Sequence, residues 1–233
     1  MYKGKKILAL IPARGGSKSI PKKNIVELKG EPLISYSIDV AKKSKYVDKV
    51  VVSSDDEKIL AVAKKYKAEI IERPKSLAQD RSPMLGALKH ALTALADRDN
   101  FYPDFIVLFQ PTSPLRTVKT INLAIESFIS ESDKFDFLIP LKLTEAKLGK
   151  IKSGFYKPLF YQIGKQRQEL EPIYQECGTI FIFKPDVIMK SDVGYGKKVY
   201  PFLIENEEEA VDIDSYDDLV IAEYFLSKGK ARK

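Results

Sequence analysis

The chain has 233 residues, enough for one α/β domain that buries most of its apolar surface without covalent staples. One cysteine, Cys177, and one histidine, His90, exclude an intramolecular disulfide and a zinc site built from Cys and His, and they fit a reducing, cytoplasmic setting. The formal net charge of +7 points to an anionic partner, and no apolar run approaches the roughly 18 residues of a membrane helix, so no membrane partner is expected.

The first lysines and the apolar run Ile7–Pro12 look briefly like a signal peptide, but the run is short and Arg14 follows it, so it reads as a buried strand. Further buried-strand runs are expected at residues 49–53, 69–72, 105–109 and 137–140. Apolar residues at helical spacing predict helices over Leu33–Lys43 and Glu57–Lys65. Ser82 and Pro83 read as the N-cap and first helical position before Leu85, Leu88, Leu92 and Leu95, and Thr117 caps a helix over Val118–Ser130. From 142 to 176 the alternation stops. Gly149, Gly154, Pro158 and several aromatic residues there predict a hairpin-like insertion that could pack on a second subunit. Strand character returns at 179–183, a short extended piece is expected at 211–213, and Ser215 caps a last helix to about residue 226, with a frayed tail beyond Lys228. Alternating strands and helices predict an α/β fold with a mainly parallel sheet covered on both faces, whose ligands bind beyond the carboxyl ends of the strands. Residues 1–141 and 177–233 would form this nucleotide-binding domain, and 142–176 the insertion.

The loop that leaves the first strand reads Arg14-Gly15-Gly16-Ser17-Lys18, then Pro21-Lys22-Lys23-Asn24. Glycines let backbone N–H groups approach an anion closely, while the cations neutralise oxygens that would repel a nucleophile; the combination suits a triphosphate. The spacing matches neither the Walker pattern nor the dinucleotide G-x-G-x-x-G pattern. Gln110-Pro111-Thr112-Ser113-Pro114-Leu115-Arg116 leaves a later strand and carries an amide, two hydroxyls and a guanidinium on a proline-stiffened loop. In Asp212-Ile213-Asp214, alternate residues share one side of an extended segment, and two such carboxylates suit Mg2+. Arg73 ends another strand, and Asp55 and Asp56 end the one before it. His90 reads as a structural helix residue, and Cys177 as a small buried one, since no histidine pairs with it.

Residues 11–18 (Ile-Pro-Ala-Arg-Gly-Gly-Ser-Lys), Pro21 to Asn24, Val52-Ser53-Ser54-Asp55, Arg73-Pro74, the Gln110 to Arg116 block and Asp212-Ile213-Asp214 together resemble the acylneuraminate cytidylyltransferases, or CMP-sialic acid synthetases. The match runs in order over nearly the whole chain. The resemblance implies a Rossmann-like nucleotidyltransferase sheet and a cytoplasmic homodimer that transfers CMP from CTP to a nine-carbon α-keto sugar acid, with Mg2+ and release of pyrophosphate. It also implies that Arg14, Gly15, Gly16, Ser17, Lys18, Lys23, Asn24, Arg73 and Ser82 bind the nucleotide. Arg14, Lys18, Lys23 and Asp214 would be catalytic, and Asp212 and Asp214 would hold the metal. Gln110 and Phe181 would contact the sugar, joined by Lys147 and Arg167, which match family positions that reach into the partner subunit's site.

Two departures bear on the acceptor. Cys177-Gly178-Thr179-Ile180-Phe181 stands where the family usually reads Asn-Gly-Ala-Ile-Tyr, and Glu145-Ala146 stands where His-Pro is common. Lost hydrogen-bonding groups change selectivity strongly, so legionaminic, pseudaminic or another nonulosonic acid is expected beside N-acetylneuraminate. The competing readings are a cytidylyltransferase for the eight-carbon acid Kdo, and a glycosyltransferase using Asp212 and Asp214 as a D-x-D motif, which leaves the Arg14 loop unexplained. Nucleic acid is not expected as a partner, because the basic residues cluster in one loop without interleaved aromatics.

Overall fold

The computed structural model describes residues 1–80, 82–190, 192 and 196–231, without the side chains of Arg167 and residues 229–231. The sugar contact expected of Arg167 therefore lies outside the described residues, as do the last two residues of the tail; residues 228–231, expected to fray, instead continue the last helix.

In chain order the elements are β1 (Ile7–Pro12), β2 (Glu27–Leu28), β3 (Glu31–Pro32), α1 (Leu33–Lys43), β4 (Lys49–Ser54), α2 (Glu57–Lys65) and β5 (Glu69–Glu72). They continue with α3 (Met84–Asp99), β6 (Phe105–Leu108), α4 (Val118–Ser130), β7 (Phe137–Thr144), β8 (Gly149–Lys152) and β9 (Phe155–Pro158). The last are β10 (Ile173–Glu176), β11 (Phe181–Phe183), α5 (Pro185–Lys190), β12 (Val199–Leu203) and α6 (Tyr216–Ala231).

The main sheet runs β10-β7-β11-β6-β1-β4-β5, with β12 on the other edge of β7. β1, β4, β5 and β6 are parallel, and β12 is parallel to β7. β11 is antiparallel to both β6 and β7, so it and β10 are the reversed pieces in an otherwise parallel sheet.

β1 shows why the strands are so apolar. Ile7, Ala9 and Ile11 face a core completed by Ile34 and Ile38 of α1, Ile59 of α2 and Phe128 of α4. Leu8 and Leu10 face the opposite core, with Leu88, Leu92 and Leu95 of α3 and Ile188 of α5. A strand covered on both faces buries every side chain, and each large one contributes about 1.5–3 kcal/mol. A third cluster packs Leu219 and Ala222 of α6 on Ile20, Leu28, Leu33 and Ile213. It draws the end of the chain over the loop that follows β1.

Helix starts follow the side-chain chemistry. Asp56 accepts from the backbone N–H groups of Lys58 and Ile59 at 2.8 and 3.1 Å, and Thr117 accepts from that of Thr120 at 3.2 Å. Ser215 and Asp218 cap α6 reciprocally: the Asp218 N–H donates to Ser215 Oγ at 3.3 Å and the Ser215 N–H to Asp218 Oδ2 at 2.8 Å. The cap expected at Ser82 does not form. Ser82 Oγ donates to the Ser76 carbonyl, Pro83 stays extended, and α3 begins at Met84 without a side-chain cap.

Three further differences concern the end of the chain and the insertion. β7 continues past residue 140 to Thr144 and pairs with β10, so the expected insertion begins inside a strand; β8 and β9 form its hairpin. β12 was not expected because Pro201 interrupts its apolar run, and proline is tolerated there because the strand lies at the edge. Residues 211–213 stay outside the sheet. Among the described residues, no helix is long and apolar enough to cross a membrane.

Candidate active site

The chain passes from β1 to β4 and β5 on one side, then crosses to β6 on the other. This topological switch opens a crevice beyond the carboxyl ends of β1 and β6. A cleft of about 610 Å³ fills it, and Arg14, Ser17, Lys18, Lys23, Asn24 and Ser82 line it together with Arg73, Gln110, Asp212 and Asp214.

The loop after β1 is shaped by specific contacts. Asn24 Nδ2 donates to the Arg14 carbonyl at 2.9 Å, and the Gly15 N–H donates to Asp55 Oδ1 at 3.1 Å. A Cβ on Gly15 would stand 2.8 Å from Asp56 Oδ2, so the N-cap of α2 leaves no room for a side chain there; Gly16 has nothing within 4 Å of a Cβ. Lys22 takes the left-handed conformation, φ 56°, and turns the chain so that Lys23 points back into the crevice.

Arg14, Lys18 and Lys23 each rest on an acceptor of the protein itself. Lys18 Nζ is 2.7 Å from Asp80 Oδ2, and Arg14 lies 3.6 Å from Asp80 and 3.4 Å from the Gln79 carbonyl. The hydrogen bond from Lys18 is the main reason that the Asp80 carboxyl titrates below its ordinary range. Lys23 Nζ bridges Asp214 Oδ1 at 2.7 Å and the Ile213 carbonyl at 2.9 Å. Arg73 is buried in the cleft wall; burial lowers its pKa against the pull of Asp55, 3.6 Å away, and its Nε has no partner among the described residues. A buried donor without a partner is costly unless a ligand or water completes it.

The loop after β6 divides its polar groups. Gln110 faces the cleft, and Ser113 Oγ reaches Asp212 Oδ1 at 3.5 Å. Arg116, the guanidinium of this loop, does not line the cleft. It is buried, lies 5.2 Å from the Phe109 ring, donates to Ser37 Oγ at 3.1 Å and also donates to the Gln110 carbonyl. Burial brings its pKa down to about 9, which leaves it charged at neutral pH. Arg116 therefore braces the loop from behind. Glu209, also buried, accepts from the Thr117 N–H at 3.0 Å and from Thr120 Oγ1 at 2.9 Å, while the Ile213 N–H donates to the Thr112 carbonyl at 2.8 Å. These bonds fasten the Asp212–Asp214 segment to the loop after β6.

A second cavity of about 510 Å³ adjoins the first and shares Gln110, Asp212 and Asp214 with it. Cys177, Gly178 and Phe181 form part of its wall. A Cβ on Gly178 would lie 2.6 Å from Ser113 Oγ, 2.8 Å from Gln110 Oε1 and 3.4 Å from Asp212 Oδ1, where three polar side chains converge. Burial pushes the Cys177 thiol up, against its hydrogen bonds with Thr179, which suits a wall residue and not a nucleophile.

Lys147 lies elsewhere, in a separate cavity with Tyr161, its Nζ 5.7 Å from that ring. His90 lines neither of the two adjoining cavities. Among the site residues that sequence reasoning did not assign are Asp80, Lys142 and Gly178. Gly178 left a trace, since a glycine beside a strand marks close backbone approach. Asp80 and Lys142 left none, because single charged residues in polar segments look alike until the fold groups them. No cluster of three or more His, Cys, Asp or Glu side chains able to hold a metal occurs among the described residues; the carboxylates that line the cleft are those of Asp212 and Asp214.

Comparison with known proteins bears on the family and the fold. The sequence profile described as "Cytidylyltransferase" matches residues 8–147. The chain is 33% identical to a CMP-N,N'-diacetyllegionaminic acid synthase of Legionella pneumophila, over 95% of this chain and 96% of that protein. It is also 33% identical to a pseudaminic acid cytidylyltransferase of Campylobacter jejuni, over 93% and 94%. A solved structure of CMP:2-keto-3-deoxy-manno-octonic acid synthetase complexed with CTP superposes with a TM-score of 0.71 over 96% of this chain and 99% of that one, at 14% identity, a likeness of fold alone. With a third of its residues shared along nearly the full length of such relatives, and with the profile matching more than half of it, this chain belongs to the cytidylyltransferase family.

Proposed function

We propose that the protein transfers CMP from CTP to the anomeric hydroxyl of a nonulosonic acid and releases pyrophosphate. One observation carries this reading: two adjoining cavities meet at a wall made of Gln110, Asp212 and Asp214, with the basic loop on one side only. A reaction that joins two substrates at the α-phosphate needs this arrangement. The legionaminic and pseudaminic relatives support the choice of acceptor.

In this reading the triphosphate takes over Arg14, Lys18 and Lys23 from the carboxylates that hold them in the free protein. Gly15, Gly16, Ser17 and Asn24 line its path, and Arg73 and Ser82 contact the nucleotide. The acceptor hydroxyl loses its proton, a new O–P bond forms at the α-phosphorus, and the bond to the departing pyrophosphate breaks. Neutralised charge and orientation contribute most of the acceleration, which explains why no nucleophilic dyad is needed.

Asp212 and Asp214 fit Mg2+, which binds oxygen donors and typically takes one or two carboxylates, leaving other positions to water and phosphate. When bound, the ion neutralises phosphate charge and orients the α-phosphate. Gln110 and Phe181 bound the acceptor. The 142–176 segment supports a homodimer, because Ile151, Phe155 and Ile163 are each more than 70% exposed on it; Lys147 and Arg167 would then act in the partner subunit's site. A cytoplasmic location suits the supply of CTP.

The test is a panel of nonulosonic acids and Kdo, each offered with the four nucleoside triphosphates while pyrophosphate is measured. Release only with CTP and a nonulosonic acid is expected. Release with Kdo alone, or with none of the acids, would overturn the proposal.

A further inference from the structure

The second cavity has an electrostatic problem. Glu176, Glu207, Asp212, Asp214 and Asp218 line it, and the one cation that lines it among the described residues is Lys142. An acceptor that is itself a carboxylate must enter this acidic space, and like charges at short range repel strongly where water is partly excluded.

Several of these acids are already engaged. Asp214 is paired with Lys23. Asp218 accepts from the N–H groups of Asp214 and Ser215 and from Ser215 Oγ; burial opposes its ionisation, yet these bonds keep it below its usual range. Asp212 accepts from Ser113. Lys142, by contrast, makes no salt bridge among the described residues, although it is half-buried.

The backbone explains how Lys142 comes to face this space. It stands directly opposite Gln175 in the antiparallel β7–β10 pair, so both side chains leave the same face of the sheet, and both line the cavity. Two register positions on, the Cys177 N–H donates to the Pro140 carbonyl at 3.1 Å, and the positive charge of Lys142 acts on the Cys177 thiol. Lys142 therefore belongs to the wall that contains Cys177 and Gly178, next to Gln110 and Asp212.

We propose that Lys142, assisted by the Gln175 amide, binds the carboxylate of the sugar acid within the same chain. This rests on the acceptor class proposed above. It adds an internal cation to those expected from the insertion of a second subunit, and it makes Lys142 a determinant of acid over neutral acceptors. A lysine suits this task because its compact ammonium can follow acceptors of different length, whereas a bidentate arginine would demand one orientation.

The experiment compares Lys142→Met, which keeps the aliphatic stem, and Lys142→Arg with the unaltered protein. Each is assayed for pyrophosphate release with the preferred sugar acid and with its C1 carboxamide, and thermal unfolding checks the fold. Lys142→Met should raise the KM for the acid about tenfold or more, leave the KM for CTP unchanged, and shrink the preference for acid over carboxamide. Lys142→Arg should keep most of that preference. Equal losses on acid and carboxamide, or an unchanged acceptor KM, would overturn the role of Lys142 while leaving the reaction class intact. Absence of pyrophosphate release by the unaltered protein with every acid would instead refute the underlying reading and this proposal with it.

Discussion

The two adjoining cavities are built in opposite ways. Most of the nucleotide cleft's positive charge comes from one continuous stretch, Arg14 to Asn24, held by local contacts such as Asn24 on the Arg14 carbonyl. The acceptor cavity is gathered from β7, β10, the turn before β11 and the acidic segment before α6, and its one lysine among the described residues, Lys142, belongs to no charge-rich motif. The first cavity can be recognised from spacing. The second exists only where strands distant in sequence come into register.

The two share the Asp212–Asp214 segment, so variants there and on either side sharpen the contrast. The largest effect is expected for Lys23→Ala, which removes the cation that bridges Asp214 and the Ile213 carbonyl. CMP transfer should fall by about 10²–10³-fold with an unchanged circular dichroism spectrum. Turnover close to that of the unaltered protein would mean that the cation only braces the segment.

Asp214→Asn should follow, with a rate loss of about 10–10²-fold and a higher Mg2+ concentration at half-maximal rate. A metal titration superimposable on that of the unaltered protein would reduce the carboxylate pair to surface charge. On the acceptor side, Gly178→Ala places a methyl group among Ser113, Gln110 and Asp212. Because those contacts are side-chain ends that can yield, the fold should survive while the acceptor KM rises about tenfold. An equal rise in the KM for CTP would show that the two cavities are not separable.

The smallest effect should come from Asp56→Ala, beside the nucleotide cleft. Losing the α2 cap should cost about 1 kcal/mol in urea unfolding. If the cap is Asp56's whole role, the KM for CTP should stay the same. A marked change would place Asp56 in the phosphate loop's own support, through its contact with Gly15.

Legibility in the sequence follows the range of the interactions involved. α1 and α2 have the ends that periodicity predicts, and α4 starts where its Thr117 cap predicts, because both signals act within a turn or two of helix. α3 departs because Ser82 Oγ donates to the Ser76 carbonyl instead of capping the helix. Arg116 read only as the guanidinium of a stiff polar loop, since nothing local reveals that Phe109, Ser37 and the Gln110 carbonyl enclose it. β12 was hidden by Pro201, which only its place at the sheet edge makes tolerable.

The sequence by itself determined the alternation of strands and helices, the basic glycine loop after β1 and the carboxylate pair near the end of the chain, and with them the family. These are local patterns of charge, periodicity and backbone freedom. Only the tertiary structure decided that Asp80 and Asp214 hold the loop's cations, that Arg116 turns inward, and that Lys142 faces the acceptor cavity. The reason is physical: a charge's partners are set by strand register and by helices packed from far along the chain, and one residue of register moves a side chain to the opposite face of the sheet.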